Sequence, residues 1–240
     1  MDLNRRKWEN KYYLVFLRSL NGVYRDLAKR VTPDNAMSAG ELVGLVSENA
    51  IEAPMTDLYV SVGTSFALDT ISQFKKSEEL ENYWQAFFQG YVKNTIGTKI
   101  VSITGETKRQ ALILIRRAIE EGVEKGSGID VIARDIKRRL ISDGININKF
   151  RSARIARTEV VGASNVGSLE AAKSLGVPME KTWLASRDAR TRDTHAMMDG
   201  MTVDINDDFV VNGNYMQGPG EGDDPAEVIN CRCTLTYRVK

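Results

Sequence analysis

Helical periodicity runs through the first 175 residues of this chain of 240 and stops at Gly176-Val177-Pro178. Up to that point apolar residues recur every three or four positions, the spacing that puts them on one face of a helix. The remainder, 176–240, has short apolar segments separated by polar, glycine-rich stretches. The pattern predicts an α+β fold that is mainly α: a helical N-terminal part, a central three-helix unit, and a small loop-rich C-terminal α+β module with short antiparallel strands.

Four helices are predicted in the first hundred residues. The first has an apolar stripe and ends before Thr32-Pro33-Asp34, although Asn21-Gly22 could bend or interrupt it. The stripe consists of Tyr13, Leu17, Leu20, Tyr24 and Leu27. A second helix begins at about Ser38, whose hydroxyl can cap it together with Glu41 three residues on.

The third and fourth helices are predicted from Pro54 to about Ser77 and from Glu78 to Lys93. The fourth is rich in aromatic residues, namely Tyr83, Trp84, Phe87 and Phe88. Such side chains most often fill a core, which is the interpretation we prefer. The alternative is that they dock a partner subunit.

The central unit is predicted to begin with a short strand, 98–103, because β-branched residues dominate it. Three helices follow. The first starts at Thr104 and buries Ala111, Leu114, Ile115, Ala118, Ile119 and Gly122; the second buries Ile129, Ile132, Ile136 and Leu140. The third runs from about Ile147 to Leu175, and its small residues Ala156, Val160, Ala163, Gly167 and Ala171 allow a neighbouring helix to approach closely.

Strands of the C-terminal module are predicted at 181–185, 201–205, 209–211 and 233–239, and residues 213–224 are predicted as a loop. No stretch of the chain is apolar for long enough to span a membrane, and the N-terminus lacks the apolar core and cleavage site of a signal peptide. Two cysteines, only two positions apart, indicate a reducing compartment.

Charge is distributed unevenly although the net charge is only +1. Residues 106–157 contain thirteen Lys or Arg against seven Asp or Glu, whereas residues 203–230 contain seven acidic residues and no basic one. Opposite signs suggest two surfaces with different partners, while two ordinary solvated faces remain the alternative.

A zinc site is one interpretation of the cysteines and the single histidine. His195, Cys231 and Cys233 could supply three ligands, with Asp188, Asp193 or Asp223 as a fourth. Strong zinc signatures contain Cys-x2-Cys pairs, which this chain lacks. In the alternative interpretation the cysteines are ordinary reduced residues, one on each face of a terminal strand.

No catalytic residues are predicted. The phosphate-binding Gly-x4-Gly-Lys-Ser/Thr loop is absent from the sequence, and no cofactor other than zinc is indicated. A cysteine nucleophile would need His195 beside Cys231 or Cys233 and an activated thiolate, and no local signature supports one.

Nucleic-acid binding is predicted from basic residues on the central helices. Arg134, Lys137, Arg138, Arg151 and Arg154 could contact phosphates, which gives affinity that depends on salt and not on base sequence. Exposed basic residues are also common on helices of proteins that bind no nucleic acid, so both interpretations stay open.

An ordered set of short motifs runs through the second half of the chain. They are Ala156-Arg157-Thr158-Glu159, Asn165, Trp183, Asp188-x-Arg190-x-Arg192-x-x-His195, Met198-Asp199-Gly200, Phe209, Gly218-Pro219-Gly220, Asp224-Pro225 and Asn230-Cys231-Arg232-Cys233. In this order the motifs resemble the Mu F-like family of phage minor head proteins, also called the phage head morphogenesis domain. The resemblance covers roughly 104–240. It leads us to divide the chain into a helical docking and assembly region, 1–97, and a Mu F-like domain, 98–240.

The resemblance implies a minor capsid component of a tailed double-stranded DNA phage or prophage, made in the host cytoplasm and held inside the capsid at the portal vertex. The expected partners are the portal protein, a major capsid or scaffolding protein, and double-stranded DNA bound without sequence preference, but no membrane. The family implies no enzymatic activity. The alternative function is a metal-dependent hydrolase, a nuclease or peptidase of head maturation or DNA entry, that uses His195, Cys231, Cys233 and an Asp.

A structural role is preferred over catalysis for the motif residues. Asp188, Arg190 and Arg192 can form ion pairs that hold loops together, Trp183 can fill a small core, and Gly200 can permit a turn. Such stabilising contacts are needed where a module is small and rich in loops. The same role is expected of the other motif residues: Arg157, Glu159, His195, Asp199, Cys231 and Cys233.

Overall fold

A computed structural model describes residues 3–72 and 79–240. It confirms the mainly α fold class, with helices up to Ser174 and short antiparallel strands after it. The predicted end of the third helix at about Ser77 and the predicted start of the fourth at Glu78 lie outside the described residues. No described helix has both the length and the apolar character required to cross a bilayer.

The helical part begins with α1 (Leu3–Arg30), which is followed by a 3₁₀ helix (Pro33–Leu45). Next come α2 (Asn49–Leu58), a π-helical turn (Tyr59–Gly63) and α3 (Thr64–Ser72), which follow one another without a gap. After α4 (Glu79–Tyr91) and a second π-helical segment (Val92–Ile96), two long helices complete this part: α5 (Gly97–Glu124) and α6 (Ile129–Ser174).

The C-terminal module contains β1 (Met179–Leu184), α7 (Asp193–Met197), β2 (Thr202–Asp204), β3 (Phe209–Val211), β4 (Asn214–Met216), α8 (Pro225–Val228) and β5 (Thr234–Val239). β1 lies in the middle of an antiparallel sheet of order β2-β1-β5, with Lys181 opposite Val203 on one side and Tyr237 on the other. β3 and β4 form a separate hairpin.

The hairpin corrects the prediction of a loop from residue 213 onwards. Asn212 and Gly213, at its turn, have positive φ angles of 50° and 80°. Positive φ at both central positions is the requirement of the tight turn that matches strand twist, and Asn-Gly is the dipeptide that meets it most often. The Asn-Gly dipeptide between Phe209–Val211 and Asn214–Met216 is the sequence signal of this hairpin. The prediction missed β4 because the polar residues around the dipeptide suggested a loop.

Contact patterns divide the chain into two compact units. The first contains the described parts of 1–13, 55–94 and 154–240, and the second contains 14–54 and 95–153. Each unit combines segments from before and after residue 97. The units therefore do not correspond to the two predicted domains, and the boundary at that residue stays a prediction from the sequence.

The second unit has its own apolar core, which includes Tyr24, Leu27, Ile115, Ile136 and Leu140. On α1 the buried stripe starts at Tyr12 and Phe16, whereas the predicted Tyr13 and Leu17 are half-buried. Helix α1 also continues through Asn21-Gly22, and Asn21 Oδ1 accepts a hydrogen bond from Asn148 Nδ2 at 3.0 Å.

Four predictions about helix boundaries are wrong. The helix predicted from about Ser38 is a 3₁₀ helix that starts at Pro33, so Ser38 lies inside it and its hydroxyl donates to the Asn35 carbonyl instead of capping a helix start. Segment 98–103 belongs to α5 and not to a strand, because Ile100, Thr104, Thr107 and Ala111 are buried at helical spacing. α2 begins at Asn49, so Pro54 lies inside it. α6 runs without a break from Ile129, which is exposed, through Gly144.

Gly144 serves packing and does not end a helix. A Cβ at this position would lie 2.1 Å from Cδ2 of Tyr24. Since no side chain fits there, a glycine at this position is what lets the Tyr24 ring pack against α6.

Candidate functional site

His195, Cys231 and Cys233 form one buried cluster in the C-terminal module. Cys231 Sγ lies 3.6 Å and Cys233 Sγ 3.5 Å from Nδ1 of His195. The three candidate ligand atoms all lie within 4.8 Å of one another. The histidine is 1% exposed and each cysteine 2%. The predicted ligand types are thus brought together with the spacing that a bound metal ion would need.

Both cysteines precede the first residue of β5, Thr234, and they face the same side. The expectation that they lie on opposite faces of a strand is wrong, because side chains two positions apart in an extended segment point in the same direction. Asn230, immediately before them, has a left-handed φ of 60°, which Asn tolerates better than most residues. The chain therefore turns at Asn230 and directs both thiols toward His195.

Glu227 is the residue of this site that sequence reasoning missed. It is 4% exposed, and its Oε2 lies 3.0 Å from Nε2 of His195, without the geometry of a full hydrogen bond. The same carboxylate accepts hydrogen bonds from Thr194 Oγ1 at 2.9 Å and from Asn212 Nδ2 at 3.3 Å. The sequence signal was Asp224-Pro225, which starts α8 with an N-cap side chain and places Glu227 three residues on.

The predicted fourth ligands do not join the cluster. Among the described residues, Asp188, Asp193 and Asp223 all lie outside the group formed by the histidine and the cysteines. Asp188 instead receives both a 2.7 Å and a 3.2 Å hydrogen bond from the guanidinium of Arg232. Asp193 and Asp223 are exposed.

The thiols influence each other's protonation. The hydrogen bond from Cys231 lowers the pKa of Cys233, and His195 adds to the effect. Conversely, the contact with Cys233 and burial raise the pKa of Cys231. The pair therefore favours a single thiolate at Cys233 over two equivalent thiols.

Several motif residues hold the segment that carries the cysteines. Thr158 Oγ1 accepts a hydrogen bond from the Asn230 backbone N–H at 2.9 Å, and Arg157 Nη1 donates to Asn230 Oδ1 at 3.2 Å. Arg157 also lies 3.7 Å from a carboxylate oxygen of Glu9. Asn165 Nδ2 donates to the carbonyl oxygens of Pro219 and Cys233 at 2.6 and 3.2 Å.

Trp183 contacts His195 of the cluster, and Gly200 is bonded to the backbone of Trp183. Trp183 is fully buried, and its ring meets those of His195 and Phe209 edge-on at centroid distances of 5.3 and 5.4 Å. Gly200 has φ of 82° and donates its N–H to the Trp183 carbonyl at 2.8 Å. Asp199 Oδ1 accepts from the Ala185 N–H at 2.9 Å.

The three charged residues expected to form ion pairs behave differently. Asp188 pairs with Arg232, and it also accepts the backbone N–H of Arg190 at 2.8 Å. The side chain of Arg192 donates to the carbonyl oxygen of Ile229. Glu159 is buried elsewhere in the same unit and accepts the Tyr59 hydroxyl at 2.8 Å.

The predicted DNA-contacting residues differ in exposure. Arg134 and Arg154 are exposed and Lys137 is half-buried. Arg138 is exposed but its guanidinium lies 2.5 Å from Asp135 Oδ1. Arg151 departs from the expected exposed position: it is 6% exposed and donates to Ile103 O and Thr107 Oγ1.

Comparisons with known proteins point to one family. The family described as "Phage Mu protein F like protein" matches residues 114–236. The minor head protein GP7 of Bacillus phage SPP1 is 20% identical over 254 aligned residues, which cover 95% of this chain and 80% of GP7. No solved structure matches.

An NAD(+)–arginine ADP-ribosyltransferase EFV of Enterococcus faecalis is 37% identical over 99 residues. That match covers 40% of this chain and only a fifth of the length of the relative. The family match, in contrast, extends over half of this chain and includes the whole histidine and cysteine cluster. The chain therefore belongs to the Mu F-like family.

Proposed function

We propose that this chain is a minor head protein of a tailed double-stranded DNA phage or prophage, held in the capsid interior at the portal vertex and in contact with packaged DNA. The observation that carries the proposal is the alignment of 95% of the chain with a phage minor head protein, within a family match over residues 114–236. The relative's name supports the head and virion assignment. The portal and DNA contacts are our inference.

The basic side of α6 supports the contact with DNA. In the part of the chain that the structure describes, neither Arg134 nor Lys137 forms an ion pair. Their charges are therefore available to phosphates, and each phosphate that is neutralised releases a counterion. Arg138 and Arg139 contribute less, because Asp135 pairs with both of them.

The portal protein is the proposed protein partner, with α4 as the element that docks. Trp84 and Phe88 of this helix are buried, as preferred from the sequence, whereas Tyr83 is 56% exposed. Tyrosine is enriched at protein interfaces, so Tyr83 is the aromatic residue of α4 best placed for such a contact.

We propose a role without catalysis. A catalytic zinc ion needs a position that water or substrate can enter. The histidine and the cysteines are at most 2% exposed, which favours a structural role for the cluster over the hydrolase alternative.

The DNA contact is tested by fluorescence anisotropy with double-stranded DNA over a series of salt concentrations. In the double variant Arg134→Ala/Lys137→Ala, the slope of log K against log salt is expected to fall by about two, since each lost phosphate contact removes about one unit. The matched control is Lys29→Ala/Arg238→Ala, which removes two exposed cations already paired with Asp26 and Glu180. Equal slopes in all three proteins would contradict the proposed DNA surface.

A further inference from the structure

We propose that His195 Nδ1, Cys231 Sγ and Cys233 Sγ bind one zinc ion, and that Glu227 is a positioning residue that orients the histidine. The ion would join α7 to the segment before β5 and so act as a structural centre of the C-terminal module. The proposal depends only on the geometry of this cluster. It would stand even if the proposed role at the portal were wrong.

The distances match those of a metal site. With zinc–sulfur bonds of about 2.3 Å and zinc–nitrogen bonds of about 2.0 Å, tetrahedral geometry separates a sulfur and a nitrogen ligand by about 3.5 Å. The observed separations from His195 Nδ1 are 3.6 Å to Cys231 Sγ and 3.5 Å to Cys233 Sγ. A neutral ring nitrogen has a single lone pair, so it cannot accept full hydrogen bonds from two thiols at once. A shared ion explains why both sulfurs converge on it.

Glu227 selects the form of the histidine that a metal requires. A carboxylate oxygen 3.0 Å from Nε2 favours the proton on that nitrogen, which leaves the lone pair of Nδ1 directed at the sulfurs. Hydrogen bonds from Thr194 and Asn212 hold the carboxylate in turn. Metal-binding histidines commonly have such a partner on the other ring nitrogen.

The segment that carries the cysteines is fixed along its length. Its backbone or side chains are bonded at Ile229, Asn230, Arg232 and Cys233 by groups from other elements of the same unit. The donors and acceptors are Arg192, Thr158, Asp188 and Asn165. A site with ligands held in this way needs little rearrangement when an ion binds, which favours affinity.

Ligand chemistry and burial together indicate zinc in a structural role. Two thiolates and one imidazole suit zinc, and their charge of −2 is balanced by a divalent ion in a region that excludes water. Three protein ligands are also the number found in catalytic zinc sites. Here, however, all three ligands are buried, so a substrate has no access to the remaining position.

The test uses the full chain, produced in zinc-supplemented medium, and measures metal by elemental analysis together with thermal unfolding. We expect about one zinc per chain, a lower melting temperature after chelation, and recovery when zinc is added back. Cobalt in place of zinc is expected to give thiolate-to-metal charge-transfer absorption and the strong visible bands of tetrahedral coordination. Cys231→Ser and Cys233→Ser should each weaken that absorption.

A second comparison separates positioning from general stability. Glu227→Gln is expected to lower zinc affinity by about 10- to 100-fold, as loss of such partners does elsewhere. The matched control Glu180→Gln removes a half-buried carboxylate of β1 that pairs with Arg238, and it should leave the affinity unchanged. Chelation and re-addition in the wild type keep the test valid if a cysteine variant fails to fold. Wild-type protein that binds no zinc, or cysteine variants that bind it equally well, would overturn the proposal.

Discussion

A lysine is enclosed within the C-terminal module. Lys181 has no exposed surface; its Nζ donates to the carbonyl oxygen of Gln217 at 2.8 Å and lies 5.4 Å from the centre of the Phe209 ring. Burial lowers the pKa of Lys181 to about 8, from the ordinary value of 10.5. Folding therefore favours the neutral amine relative to the unfolded chain.

The lowered pKa of Lys181 predicts a rise in stability with pH. Between about pH 8 and 10 the unfolded chain keeps the proton that the folded chain loses, so the free energy of unfolding increases by up to about 1.4 kcal/mol per pH unit from this residue. Lys181→Met removes this contribution. In urea denaturation, we expect the free energy of unfolding of the wild type minus that of the variant to increase from pH 8 to 9.5.

Other groups that titrate in this range, such as the buried tyrosines, are present in both proteins and cancel in the comparison. A difference in the free energy of unfolding that stays constant over the same pH interval would contradict the lowered pKa of Lys181.

The candidate site was predictable from the sequence in its ligands but not in their surroundings. The histidine and both cysteines were identified because they are the single histidine and the only two cysteines of the chain. Glu227 was missed because its burial depends on α8 packing against α7, which no local pattern encodes. Arg151 was assigned to a surface for the same reason. Helical spacing within α6 does not reveal that Thr107 of another helix accepts a hydrogen bond from this side chain.

Two glycines allow α6 and the π-helical turn Tyr59–Gly63 to approach each other closely within the first unit. A Cβ on Gly167 of α6 would lie 2.4 Å from the carbonyl oxygen of Gly63. The obstacle is backbone, which cannot move aside as a side chain can. This bears out the expectation that the small residues of α6 allow a neighbouring helix to come close.

Gly167→Ala is therefore expected to destabilise the protein by about 1–3 kcal/mol, the usual range for overpacking. Gly90→Ala on α4 is the matched control, because a Cβ there meets no atom within 4 Å. In that helix, alanine should instead stabilise by up to about 1 kcal/mol. Urea denaturation measures both changes, and two variants of equal stability would contradict the described contact.

Within α5, the long repeated part was predicted as helix and its short first segment was not, for a physical reason. The stripe of α5 from Ala111 to Gly122 repeats often enough to define a helix, whereas the six residues 98–103 are too few to separate helical from extended spacing. Their β-branched composition suggested a strand, but burial at Ile100 and Thr104 made helix the lower-energy choice. α6 was predicted as two helices, whereas it is one continuous helix in which Gly144 makes room for Tyr24.

The fold class of the molecule followed from the end of helical spacing at Gly176-Val177-Pro178. The two compact units did not, because each combines segments far apart in sequence. Periodicity shows which face of an element is buried but not which distant element covers it. The order of the motifs nevertheless identified the family that the comparison over 114–236 shows.

The position that we propose for this chain is the portal vertex of the phage head. It is tested most directly by immunogold electron microscopy of assembled phage heads whose copy of this chain carries an epitope tag. We expect label in opened heads at one vertex, the vertex that also carries the portal. Label spread over all vertices, or heads that contain none of the chain, would contradict it.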